Sequence, residues 1–501
     1  MFKFDLVKNL IFIASVLFII AFGSTSCKKN KLITDPSAKI DFSADSVMFD
    51  TVFTTAGSTT RQIRVINNND QRINISSINV QGGSASAFFL NVDGSPGRSF
   101  SDIEIDAKDS LFIFIQVNVN PNNSNSPLVI SDAINFTVNG NTQSVYLEAW
   151  GQDAYYHKPT NAIRFVNGGY LPYTTVSTMT PATVTWVNDK PHVIYGWLVV
   201  DSTQTLIIQA GVKVHFHQNA GLWVYPGGTL KVKGTLGNEV VFQGDRLEPY
   251  MQDEPGQWDR IWINEGDKFS TGNEIDYAII KNGFIGVQAE LLFAAINDPN
   301  AKSHLRITNT KIQNMKQWGM YNAAYSVYGG NNVISNCKEY CLVCAAGGNY
   351  TFLHCTFANY WSKDTREKPC VHIDNHSGPY QLPLDTCYFG NCIIDGSGGN
   401  ELELDMIGSA STYSINHKFS YCFLRTSVNT SDLSHFPTGN RINGTSSFAS
   451  VSTYDFKLNS SSGAVNMGSG AQTDATIFPK DILNTVRSPG DFSPDAGAYE
   501  K

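Results

Sequence analysis

Two short segments concentrate the side chains able to do chemistry. CVHIDNH places His372, Asp374 and His376 at alternate positions, and NELELDM does the same with Glu401, Glu403 and Asp405. In an extended chain such alternation sends one set to a single face. Val371, Ile373, Leu402 and Leu404 are then expected to point inward, leaving the polar teeth outside. Carboxylates paired across two strands could serve as acid and base, or as nucleophile, on a glycosidic bond, with an imidazole to carry the proton. The adjoining loops WSKDTREKPC and HSGPYQLPLDTC bring Trp361, Arg366 and Tyr380 nearby. Arg366 would supply positive charge to a developing anion, and the two rings would stack on sugar. The catalytic candidates are therefore His372, Asp374, Glu401 and Glu403. The binding candidates are Trp361, Arg366, Tyr380 and Asp405.

A metal reading is weaker. His372 and His376 stand about 13 Å apart along a strand at 3.3 Å per residue, so H-x-D-x-H cannot close on one transition metal. A calcium ion held by Glu403 and Asp374 is the remaining cation option; no other cofactor is expected. His215 and His217 alternate with Val214 and Phe216 in KVHFHQ, as exposed residues of an early strand should. The chain shows no phosphate-cradling glycine loop, nucleophile elbow or Ser–His–Asp ordering.

The positioning elements repeat. YAIIKNG, TKIQNM, NVISNC, CTFANY and NCIIDGS share an apolar–x–Asn/Gly step anchored at Ile280, Ile312, Ile334, Phe357 and Ile394, spaced 32, 22, 23 and 37 residues apart. Leu424 follows 30 later. A base step of 22–23 with longer insertions predicts a coil of parallel strands, the five anchors stacking on one wall. Cys355, Cys392 and Cys422 each precede an anchor by two, so they are expected to form one inward ladder of thiols. Cys341 and Cys344 read as packing residues. Cys370 and Cys387 bracket two excursions and could clip them together in an oxidising compartment.

Upstream, seven short β-like runs from SVMFDTVF to SVYLEAW, separated by turns such as DGSPG and NGN, predict an antiparallel sandwich over residues 38–153. IRVINN and YLEAWG resemble strands of ASH-type (hydin-type) immunoglobulin-like domains. GVKVHF, GLWV, GGTL and GQWDRIWINEGD, with the SPDAGAYE ending, resemble the rungs and closing segment of pectin-lyase-like right-handed parallel β-helix proteins. The resemblance implies an all-β chain: an N-terminal immunoglobulin-like β-sandwich followed by a right-handed parallel β-helix over 160–501. It also implies that glycan-active members carry their acids on an outer sheet face.

The N-terminus reads as an address. Lys3 and Lys8 precede an apolar run from Leu10 to Phe22, too short for a comfortable span, and Gly23-Ser24-Thr25-Ser26 lead into Cys27. This resembles a bacterial (Bacteroidota-type) outer-membrane lipoprotein signal over 1–27, which implies lipidation of Cys27, with 28–37 as a tether. Absence of Asp after Cys27 points to the outer membrane. A net charge of −8 and no basic stripe exclude nucleic acid. The expected role is a non-catalytic cell-envelope scaffold that binds a glycan (carbohydrate binding) or an envelope protein. The alternative is a polysaccharide lyase or glycoside hydrolase acting on acidic polysaccharide.

Overall fold

A computed structural model describes residues 31–53, 58, 60–119, 128–165, 168–265, 272–291, 304–409, 411–469, 477–487 and 493–501. Cys27 and the apolar run lie outside the described residues. The chain divides into two compact units, one up to Gln152 and one from Asp153 to Lys501.

The first unit is a sandwich of two five-stranded sheets. One sheet holds Arg61–Ile66 and Ser110–Val117, the other Ile73–Val80, Leu128–Val138 and Asn141–Gln152. Their alternation is plain: Ile63, Val65, Ile113, Ile115 and Val117 point inward and are buried. Pairing is antiparallel except where Ser46–Phe53 runs beside Asn141–Gln152. All seven expected runs form strands. Three others do so as well: Asp41–Phe42, Ser95–Gly97 and Ser99–Ile105. The last buries only Ile105, so its sequence carries little alternation to find. Residues expected in the tether also pack here: the Ile33 amide donates to Arg72 O at 2.9 Å, and Asn139 Nδ2 donates to Ile33 O at 3.1 Å.

The second unit is a parallel β-helix. One wall is an eleven-stranded parallel sheet in which Phe242, Ile280, Ile312, Ile334, Phe357, Ile394, Leu424 and Ile442 succeed one another in register. Every expected anchor lies on it, and all are fully buried. The recurring Asn has a backbone cause. The residue three before each anchor adopts positive φ: Tyr277, Asn309, Asn331, His354, Asn391 and Tyr421, at 48–55°. Asn282, Asn314 and Asn336, two after their anchors, do likewise at 51–65°. Asparagine tolerates this left-handed turn better than most side chains. It also links rungs, as where Asn314 Nδ2 donates to Asn282 Oδ1 at 2.8 Å.

Cys355, Cys392 and Cys422 share the inward ladder and are free and buried. Each thiol donates to the carbonyl two residues earlier, at 3.3–3.4 Å. Cys370 and Cys387 are not bonded to each other. Cys387 is in register with Tyr350, whereas Val371 is in register with Leu342, so Cys370 sits beside Cys341, nine positions before Tyr350 in the chain. The closing SPDAGAYE segment packs Ala496, Ala498 and Tyr499 with Val333, Ala358, Ile393 and Phe423.

Candidate functional site

The two candidate strands are neighbours. Val371–Asp374 runs parallel to Leu402–Asp405, with His372 opposite Glu403 and Asp374 opposite Asp405. Leu342–Leu353 flanks them on the other side, Val343 opposite His372. Val371, Ile373 and Leu402 are fully buried and Leu404 packs against the same core, so the inward set is as expected.

The outward set is a bonded network. His372 Nδ1 lies 2.7 Å from Glu403 Oε2, and its Nε2 lies 3.0 Å from Asp374 Oδ2. Only an imidazolium, a donor at both nitrogens, satisfies both carboxylates. Burial opposes that charge, but the hydrogen bonds to Asp374 and Glu403 outweigh it and raise the His372 pKa. The Asp374 carboxylate also accepts from the Ala346 amide at 2.7 Å. Tyr340 donates to Glu403 Oε2 at 3.1 Å, and burial together with the Glu403 charge pushes its phenol well above the ordinary tyrosine value. His376 Nε2 lies 3.2 Å from Asp405 Oδ2.

Three candidates stand elsewhere than expected. Glu401 does not face out: it precedes the strand, is fully buried, and is gripped by Arg366. Arg366 Nη1 donates to Glu401 Oε2 at 2.8 Å, its Nη2 to Oε1, and the Gly398 amide adds a bond at 2.6 Å. Arg366 is consequently no free cation, because its side chain is only 6% exposed. Trp361 is buried and donates to Asp364 Oδ1 at 2.7 Å, so its loop folds back on itself instead of offering a ring to ligand. Tyr380 is 74% exposed at the tip of the small hairpin His376–Ser377/Tyr380–Gln381. Glu403 and Asp405 keep 42% and 56% of their side chains exposed.

Glu403 and Asp374 do not converge on a cation site, since the His372 ring stands between them. Among the described residues no cluster of three or more His, Cys, Asp or Glu side chains is arranged to hold a metal. His215 is buried, not exposed: Gln257, from the excursion after Gly244, lies over that glycine, and His215 Nδ1 is 3.2 Å from Gly244 O. His217 is half exposed and pairs with Asp245 at 2.8 Å.

The sequence reading missed Tyr340. Its signal was available in the offset: Tyr340 precedes Val343 by three, and Val343 is the rung neighbour of His372. That register belongs to a wall other than the one the anchors define.

No protein-family model matches this chain, and no curated protein matches it. Among solved structures, a family 123 glycoside hydrolase from Clostridium perfringens is 8% identical over 25% of this chain and 31% of its own, with a TM-score of 0.17. A PapD-like (ASH) domain of human CEP192 is 10% identical over 26% of this chain and 95% of its own, TM-score 0.16. The Escherichia coli chaperone DraB is 11% identical over 25% and 56%, TM-score 0.17. Likenesses at this level do not bear on activity.

Proposed function

We propose that the protein is a non-catalytic scaffold of the cell envelope, anchored through a lipid on Cys27, whose β-helix presents one outer sheet face to a glycan. The observation that carries this reading is that the candidate acids are already bonded to neighbouring side chains. Glu401 is locked by Arg366, and Asp374 and Glu403 share one imidazolium. A general base needs a free lone pair aimed at substrate, and a general acid needs a proton it can release. Side chains already fixed by one another are suited instead to holding a rigid polar surface. Tyr380, Glu403 and Asp405 form its exposed part. The runner-up is a glycoside hydrolase using Glu403, favoured by that carboxylate's exposure beside the Tyr340 hydroxyl.

The test uses purified full chain with neutral and acidic polysaccharides, measuring retention together with released reducing and unsaturated ends. Retention without product supports the scaffold. Product that disappears in Glu403→Gln would replace it with the enzyme. Labelled palmitate that enters the wild type and not Cys27→Ser would support the anchor.

A further inference from the structure

Beside the candidate site lies a group of thiols with a different character from the cysteine ladder. Cys337, Cys341 and Cys370 are fully buried and unbonded. Cys341 and Cys370 occupy equivalent places on adjacent rungs: the Cys341 amide donates to Cys370 O at 2.7 Å, and the next residues, Leu342 and Val371, are in register. Adjacent rungs are about 4.8 Å apart, inside the roughly 4.4–6.8 Å range that Cα atoms of a disulfide span. Parallel side chains within two strands would still point alike and resist bonding. In this pair the two thiols lie close enough to hydrogen-bond to each other.

A cation completes the arrangement. Arg366 arrives from the loop that Cys370 ends, and both its terminal nitrogens serve Glu401. Its Nε–H is buried and has no hydrogen-bond acceptor among the described residues. Burial alone would raise the Cys341 thiol. Hydrogen bonding with Cys337 and Cys370, with the Arg366 charge, overcomes burial and holds it well below the ordinary cysteine value. Thiolate character beside a fixed cation is what makes a cysteine reactive.

We propose that Cys341 and Cys370 are a redox pair, Cys341 the attacking thiolate and Cys370 the resolving thiol, oxidised by a disulfide-bearing partner. Cys341 Sγ attacks one sulfur of that disulfide, forming a mixed disulfide and expelling one thiolate, which takes up a proton. Cys370 Sγ, losing its proton, then attacks Cys341 Sγ and expels the second thiol. Two electrons pass to the oxidant, whose disulfide becomes two thiols, and the protein gains one bond. Both thiols are fully buried, so the oxidant reaches them through local opening of the surrounding chain. The bond would tie Cys370, two residues before His372, to Cys341, which directly follows Tyr340.

The experiment takes the full chain, fully reduced, through incubation with oxidised glutathione, then alkylation with N-ethylmaleimide in denaturant and peptide mass mapping. The expected result is loss of two alkylated cysteines and a linked peptide containing Cys341 and Cys370. In Cys370→Ser the reaction should stop at a glutathione adduct on Cys341. Retention of every alkylated thiol overturns the proposal, as does a bond mapping to Cys337 or to the Cys355–Cys392–Cys422 ladder. The unaltered chain alone decides the pairing, whether or not the variant folds.

Discussion

Arg366→Ala tests the buried grip that displaced Glu401 from the expected surface. In the wild type the fully buried Glu401 carboxylate accepts two bonds from Arg366 and one from the Gly398 amide. Alanine leaves the amide alone facing a buried charge. Breaking one side of such a pair costs about 3–5 kcal/mol, and at on the order of 2 °C per kcal/mol for a unit of this size the midpoint should fall by roughly 6–10 °C. The pH dependence identifies the cause. Burial already raises Glu401 against the opposing pull of Arg366, and without Arg366 its folded value rises further. A folded pKa above the unfolded one favours the folded state most below the unfolded value, and that advantage is lost as pH rises through the folded value. The deficit of the variant relative to wild type should therefore be largest near pH 7–8 and shrink on acidification toward the ordinary glutamate range. Replacing both partners by leucine should recover most of the loss, since an apolar pair leaves no charge stranded. Thermal melts of the three proteins across pH supply the assay. A deficit under about 1 kcal/mol, or one constant with pH, would refute the reasoning.

The other predictions concern the site and the core. His372→Gln removes a charged donor between two carboxylates. The His372 pKa is raised on folding, so its contribution is full below the ordinary histidine value and lost as pH rises through the folded one. The variant should lose about 2 kcal/mol near pH 6 and much less near pH 9, read from denaturant melts. Tyr380→Ala, at a residue 74% exposed, should weaken glycan retention about tenfold with no change in melting temperature. Equal retention would remove Tyr380 from the surface. Tyr325→Phe deprives the fully buried Glu265 of a hydroxyl donor, while Asn273 Nδ2 at 3.0 Å and the His304 amide at 2.7 Å still donate to it. Calorimetry should show a loss of about 1–3 kcal/mol.

What could be read from the sequence follows from which forces act at fixed spacing. The anchor wall was legible because stacking demands one apolar side chain per rung, and the left-handed turns beside it demand Asn or a tolerant substitute. Both demands recur whatever the loops do. Val371 and Ile373 pointing inward follows from the same logic, being strand pleat and nothing more. Glu401 and Trp361 were misplaced because their burial comes from an irregular loop, where one arginine and one aspartate decide which way a side chain turns. His215 failed similarly: alternation sent it outward, yet it is buried with Nδ1 3.2 Å from Gly244 O, a contact made with the next rung.

The same division explains why the site chemistry was only half visible. Alternation put His372 and Glu403 on one outward patch, and the register sets them opposite each other. It could not say that the imidazole would bond both carboxylates, because that depends on Asp374 being fixed by the Ala346 amide and Glu403 by Tyr340, both from the preceding rung. Ala346 stands 28 residues from Asp374 and Tyr340 stands 63 from Glu403, yet each is within hydrogen-bond distance of its partner. A coil turns long sequence separation into adjacency, so the patterns that reveal the fold are local while the contacts that fix protonation are not. A carboxylate read as free from its own strand can thus be committed by its neighbour, and that commitment is what the proposed binding role rests on.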